Sequence, residues 1–220
     1  MVQYRRPSVA FAFASPTIPN MKTLLLILPA ALALFTLPGR ADRATAVPPG
    51  EHDWVVDPVH SSVVFRIKHA NASWFQGTFD KVEGQITLDP SKPEAGSVTL
   101  TIPVDSIDTN DKKRDDHVKG PDFFNSKENP SITFTSSKIS KKGDAQFDVT
   151  GDLQMAGKKK SITMTVEKTG EGEMMGKVVG WMTTFTIKRS DFGVSYAVDK
   201  GTLGDEVTLM VALETKQAKK

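Results

Sequence analysis

The sequence predicts an all-β domain of about eight strands, and three observations carry that reading. From Trp54 to Leu213, run after run alternates apolar and polar residues at period two. That spacing puts successive side chains on opposite faces of a strand. Turn-forming clusters such as Asp89-Pro90-Ser91-Lys92-Pro93 and Lys141-Lys142-Gly143-Asp144 separate the runs, as hairpin connections require. Only one stretch breaks the pattern: Ile107 to Phe124 is a dense run of charges with a histidine, closed by two adjacent phenylalanines. It reads as a polar gate on an apolar container.

Ahead of the strands, Met21-Lys22 followed by the apolar run Thr23 to Leu37 matches the basic start and hydrophobic region of a signal peptide. The run is shorter than the roughly 20 residues that span a bilayer. The expected organisation is a non-structural extension over 1–20, a signal peptide over 21–41, a linker over 42–53, the strand domain over 54–215 and a flexible tail over 216–220. Cleavage fits after Ala41 or Ala46, both preceded by small residues at the required positions.

In chain order, Asp57-Pro58 marks a bend, because proline is excluded from central ladder positions. Val63, Phe65, Ile67 and His69 then share one face, and Val64, Arg66 and Lys68 the other. Phe75 to Leu88 reads as a strand region punctuated by Gly77 and Gly84, with a bulge or strong bend where Phe79 and Val82 leave strict alternation. Val98, Leu100, Ile102 and Val104 alternate cleanly. Asp111 to Val118 predicts a short helix closed by Gly120 and Pro121. Beyond it, strands are expected at Ile132-Phe134, at Phe147-Val149-Leu153 and at Ile162-Met164-Val166. A Gly-rich connection over Gly170 to Gly176 leads to the stripe Val179, Trp181, Thr183, Phe185 and Ile187, and Val207 to Leu213 closes the set. Eight strands suffice for a closed barrel that holds one small ligand; periodicity alone leaves a two-sheet sandwich open.

Composition narrows the function classes. The 220 residues are 39% hydrophobic and 25% charged, enough for a sizeable core, and contain no cysteine, which excludes disulfides, thiolate nucleophiles and cysteine metal sites. Removing Arg5, Arg6, Lys22 and Arg40 from the 28 basic residues leaves 24 against 26 acidic, a net −2. That is not the balance of a nucleic-acid binder.

Particular residues then say more than periods do: V-D-P-x-H-S-S-V-x-F-x-I-K-H over Val56 to His69, F-x-G-x-F over Phe75 to Phe79, and I-D-T over Ile107 to Thr109. R-D-D-H-V-K-x-x-D-F-F over Arg114 to Phe124, P-S-I-T-F over Pro130 to Phe134, K-R-S-D-F-G over Lys188 to Gly193 and G-D-E-V over Gly204 to Val207 follow in order. Together they resemble the YceI-like family of exported, polyisoprenoid-binding proteins. The resemblance implies a lipocalin-like eight-stranded antiparallel barrel with a short helix and loop insertion at about 110–125. It also implies a periplasmic location and an isoprenoid ligand, a polyprenyl phosphate or a quinone tail, with no other cofactor. Transient contact with a membrane or membrane protein fits such a carrier, and so does a homodimer, which no residue pattern specifies.

An isoprenoid needs an apolar tunnel, and the inward stripes supply its candidate lining: Val63, Phe65, Ile67, Phe79, Leu100, Ile102, Phe134, Phe147, Met164, Trp181, Phe185 and Leu209, with Val98 and Val211. The same stripes would equally build a packed, ligand-free core. A forty-carbon tail taken from water at ~0.8 kcal/mol per CH₂ would exceed the roughly 18–21 kcal/mol ceiling on affinity. The tail comes from membrane instead, so selectivity rests on tunnel shape and the polar head. For the head, Arg114, His117 and Lys119 are the candidates, with Asn110 and Asp115 to orient them and His69 at the end of its stripe. These charges also fit a solvated helix face braced by an Arg114–aspartate pair. Phe123 and Phe124 are expected to plug the barrel's end.

Other functions find less support. His60, His69 and His117 with Asp115 or Asp116 offer metal-ligand types, but their spacing fixes no geometry, so no metal is expected. Asp115-Asp116-His117 cannot all point at one centre, and no nucleophile–base pair or phosphate loop is present, so no enzyme is expected. A binder of fatty acids or their amides is the main alternative, and an isoprenoid-processing enzyme the more remote one. Arg189-Ser190-Asp191-Phe192-Gly193 reads as a structural corner with Arg189 paired to a carboxylate.

Overall fold

A computed structural model describes residues 50–219; the expected extension, signal peptide and most of the linker lie outside the described residues. The chain forms eleven strands and one α-helix: β1 (Asp53–Val56), β2 (Ser62–His69), β3 (Ser73–Phe79), β4 (Glu83–Thr87), β5 (Ser97–Pro103), β6 (Ile107–Asp108), α1 (Lys112–Lys119), β7 (Ser131–Lys141), β8 (Gln146–Met155), β9 (Lys158–Glu173), β10 (Lys177–Lys188) and β11 (Leu203–Gln217).

All pairings are antiparallel, and the sheet closes on itself because β11 pairs with β10 on one side and with both β1 and β2 on the other. The result is an eight-staved up-and-down barrel whose first three staves are jointed. β1 and β2 form the first stave, β3 and β4 the second, β5 and β6 the third. The joints are Asp57–Ser61, Asp80–Val82 and the 3-10 turn Val104–Ser106. The last two meet, since the Asp80 N–H donates to the Ser106 carbonyl at 2.9 Å. Val82 and Val104 turn inward there and are buried. The barrel replaces the sandwich that periodicity left open.

The first joint lies on the closing seam, and side chains do there what ladder bonds do elsewhere. Pro58 has no N–H to give. The Asp57 N–H donates to the Glu214 carbonyl at 2.8 Å, while the Glu214 N–H donates to Ser61 Oγ at 3.1 Å. The buried Asp57 carboxylate lies 2.7 Å from His60 Nδ1 and 2.6 Å from Lys216 Nζ. The His60 hydrogen bond, and after it that of Lys216, hold the Asp57 carboxyl far below the usual carboxylate range. A depressed carboxyl stabilises the fold above its unfolded pKa, near 3.9, and that contribution disappears as pH falls through the folded value. Asp57→Asn is therefore expected to flatten the loss of stability on acidification below about pH 4; urea unfolding of both proteins across that range checks it, and parallel curves would refute it.

Three expectations are refined or corrected. The bend expected between Phe79 and Val82 is a full break that divides Phe75 to Leu88 into β3 and β4, with Val82 buried at the joint. Gly84 serves close packing there, since a Cβ would lie 2.2 Å from the Thr99 carbonyl oxygen. The Gly170–Gly176 segment is not a connection: β9 continues to Glu173 and the turn is only Met174–Gly176, with Met175 and Gly176 at positive φ. Residues 170–177 are exposed on both faces, so no apolar alternation marks them as strand. At the C-terminus β11 runs on to Gln217, pairing Lys216 with Val55 and Gln217 with Trp54, inside the segment expected as tail.

The helix starts where expected. The Asp111 side chain accepts from the Arg114 N–H at 2.8 Å as its cap, which satisfies one of the helix's unpaired donors. None of its residues is buried. At the opposite end of the barrel, Trp181 Nε1 donates to Thr215 Oγ1 at 3.1 Å, and that hydroxyl donates to the Val179 carbonyl at 3.0 Å, so the buried indole N–H is satisfied as burial demands.

Candidate functional site

The inward faces of the staves enclose three apolar cavities in series. The largest, about 350 Å³, opens between α1 and the 194–203 loop. The middle one, about 60 Å³, shares Phe79, Ile132, Met155, Ile187 and Leu209 with it. The innermost, about 50 Å³, shares Leu100, Phe134, Met164, Thr183 and Val211 with the middle one. The partitions are side chains only, with Met155 and Met164 among them, and methionine is the most adaptable of apolar side chains.

Every residue expected to line a tunnel lines one of these spaces. Phe65, Ile67, Phe79 and Leu209 face the mouth cavity. Val63, Leu100, Ile102, Phe134, Met164 and Phe185 line the middle one, and Phe147 and Trp181 the innermost, with Val98. Strand geometry makes this so, since residues two apart share a face.

The polar candidates divide. His69, Arg114 and His117 line the mouth cavity; Asn110, Asp115 and Lys119 do not. Asn110 is exposed at φ +59° with its N–H on the Asp108 carboxylate, and Lys119 lies at the end of α1. Asp115 is turned onto Thr109, accepting from its N–H at 2.8 Å and its hydroxyl at 2.5 Å. The Thr109 hydroxyl bond is the main reason the Asp115 carboxyl sits below its ordinary range.

Arg114 braces the same residue from the other side. Its Nε donates to Thr109 Oγ1 at 3.0 Å and its Nη2 to the Thr109 carbonyl at 2.5 Å. The brace expected between arginine and aspartate is thus built through Thr109, itself buried. The Arg114 guanidinium also stacks 4.4 Å over the Phe75 ring. Nη1 donates to no protein group among the described residues. His117 Nε2 lies 2.9 Å from Asp122 Oδ2, and its Nδ1 bonds no protein group among the described residues.

The mouth has an aromatic clasp. His117, Phe123 and Tyr196 lie with ring centroids 5.1 Å apart in all three pairs, His117 edge-on to both partners. Phe124 packs edge-on against Phe79 at 6.0 Å. Phe123 and Phe124 therefore cover the cavity from the α1 side, while Tyr196 covers it from the opposite loop. That loop is held by Arg189, which is only 4% exposed. Its guanidinium donates to the carbonyls of Val194, Tyr196, Leu203 and Gly204 at 2.8–3.1 Å.

The expected carboxylate partner of Arg189 is not what it binds: Asp205 accepts instead from the N–H and hydroxyl of Ser190. A loop folded over a cavity points carbonyls inward, and these need donors. Thr109, Tyr196, Thr202 and Arg189 also line the mouth and were not expected there. Tyr196 and Thr202 belong to no periodic segment, so nothing in the local pattern marks them.

His60, His69 and His117 do not come together. The one group among the described residues whose ligand atoms lie mutually close is Asp57, His60 and Glu214 at the seam, where the Lys216 ammonium already neutralises Asp57.

The comparisons agree with this architecture. A family model described as a YceI-like domain matches residues 54–215. A protein called YceI from Escherichia coli O157:H7 is 38% identical over 162 residues, covering 73% of this chain and 83% of its own. The crystal structure of Burkholderia cenocepacia BcnA superposes with a TM-score of 0.67 at 34% identity, covering 72% of this chain and 98% of that one. A polyisoprenoid binding domain from Saccharophagus degradans, implicated in plant cell wall breakdown, shares the fold with a TM-score of 0.59 at 15% identity, covering 75% and 98%.

Proposed function

The chain belongs to the YceI-like family, and from that premise we propose that it binds an isoprenoid lipid, tail inward along the three cavities and head at the mouth, as a carrier exported to the periplasm. The observation that carries this reading is the polarity gradient of the interior: a mouth cavity with His69, Arg114 and His117 at its rim leads into two spaces lined by apolar residues with one threonine or two. Few polar groups placed at one end of a mostly apolar pocket orient an amphiphile. The Saccharophagus domain supports the ligand class by its name and shares the fold.

The mouth cavity, at about 350 Å³, lies near the small end of ligand sites. A long tail must therefore displace the Met155 and Ile187 partition, whereas a short fatty chain need not. Tail length is then the property that separates an isoprenoid carrier from a binder of fatty acids or their amides. Binding rather than catalysis is the reading we take, since the rim's polar groups are engaged in bracing or free to donate to a head, and its one hydroxyl–carboxylate contact, Thr109 on Asp115, is buried within the Arg114 brace.

Native mass spectrometry of protein purified from its own periplasm, followed by solvent extraction, tests the cargo directly: a co-purifying prenyl lipid is expected, and repeatedly ligand-free protein would overturn the proposal. Replacing Arg114 by Gln and His117 by Ala is expected to weaken a polyprenyl phosphate by about ten- to a hundred-fold through lost charge-assisted bonds. A quinone with the same tail should lose far less. Equal losses would remove the rim from head recognition.

A further inference from the structure

The outer face beside the mouth carries a group that the cargo site does not use. Lys68 and Trp74 stand directly opposite each other in the β2–β3 register, and both point away from the cavity, since Ile67, His69 and Phe75 point into it. The Lys68 ammonium lies 5.0 Å from the Trp74 ring centroid and the Arg66 guanidinium 4.6 Å from it. Trp74 is 52% exposed, while Trp54 and Trp181 are 9% and 4%.

Neither cation forms an ion pair among the described residues, and Arg66 Nε is without a hydrogen-bond partner. What sets the pair apart is the half-exposed indole they flank, since Trp74 is the one exposed tryptophan among the described residues. The β2–β3 ribbon is also free at its tip: β3 meets a further strand only at Thr78 and Phe79, so Ser73 to Gly77 form a bare rim at the mouth.

We propose that Arg66, Lys68 and Trp74 dock the barrel, mouth first, on an anionic phospholipid surface. Tryptophan favours the headgroup level, where its ring is apolar and its N–H stays wet, and lysine and arginine beside it are drawn to the negative surface potential. The exported chain is net −2 even with Arg66 and Lys68 counted and gives no general attraction, so the patch orients the protein as well as holding it. Its purpose rests on the lipid-carrier reading: a tail entering beside His69 then crosses from bilayer to barrel without meeting bulk water.

The test is partition of the protein onto vesicles of phosphatidylcholine with phosphatidylglycerol, against phosphatidylcholine alone. Binding is expected only to the anionic vesicles, with a blue shift of Trp74 emission, and it should fall as salt is raised. Arg66→Gln with Lys68→Gln should weaken it about thirty-fold, about five-fold per cation, and Trp74→Ser should remove the emission shift. Equal binding to neutral vesicles, or binding untouched by the double substitution, would overturn the proposal. Leu209→Trp, which obstructs the path of the tail, should dock like the parent protein, so a failure of docking and a failure of cargo binding are read separately.

Discussion

Arg189→Met is expected to destabilise the barrel by about 3–5 kcal/mol, the usual cost of leaving buried polar partners of a charged group unpaired. Methionine matches the length of the side chain and fills its apolar path, so packing is kept while all four donor contacts go. The carbonyls of Val194, Tyr196, Leu203 and Gly204 would then face the cavity with nothing to bond. In a domain of this size that loss corresponds to a fall in melting temperature of roughly 10 °C. Arg189→Lys should recover only part of it, because an ammonium cannot reach four acceptors in a fixed fork. Denaturant unfolding checks both, and an Arg189→Met midpoint within about 1 kcal/mol of the parent would sink the account of the loop. Cargo binding should fall with stability, since the same loop carries Tyr196 of the clasp.

Leu209→Trp should remove the affinity that long prenyl tails gain over short ones while leaving the binding of short ones. Leu209 borders both the mouth and the middle cavity and pairs across the sheet with Phe65 and Phe185. An indole there extends into open space rather than into packed neighbours, so the overpacking cost stays within about 1–3 kcal/mol. Excluding even one five-carbon isoprene unit removes about 4 kcal/mol measured from water, about a thousand-fold in affinity. Titration with prenyl phosphates of increasing length should show a parent protein that gains with length and a variant that stops gaining beyond the mouth cavity. Parallel length dependence in the two would mean that the tail does not run along the barrel axis.

What the sequence discloses and what it hides follow from the range of each interaction. Tunnel positions such as Phe65, Leu100 and Trp181 are legible because the strand period alone decides their face. The helix at Lys112–Lys119 is legible because Asp111 and Gly120 mark its ends locally. The joints of the first three staves are not, since they arise where β11 exchanges β1 for β2 and where Asp80 meets Ser106, contacts between distant segments. Among the polar candidates, residue type brought Arg114, His117 and Asp115 together, but only three dimensions show that Thr109 stands between the arginine and the aspartate. Arg189 is read as an ion-pair residue from its chemistry; its partners are main-chain carbonyls, to which sequence gives no clue.

The seam that joins the first stave to the last sets the order of events in the making of this protein. Glu214 bonds Ser61 across 153 residues, and β1 has no partner on that side until β11 arrives. Hairpins such as β7–β8 and β9–β10 form from neighbouring residues, on the microsecond scale of local contacts, whereas closing the ring waits for the longest loop in the chain and is the slow step. Without β11 the sheet has two unpaired edges, β10 on one side and β1 with β2 on the other. The closed barrel and the Trp181–Thr215 bond both need β11 in place, so one strand completes both.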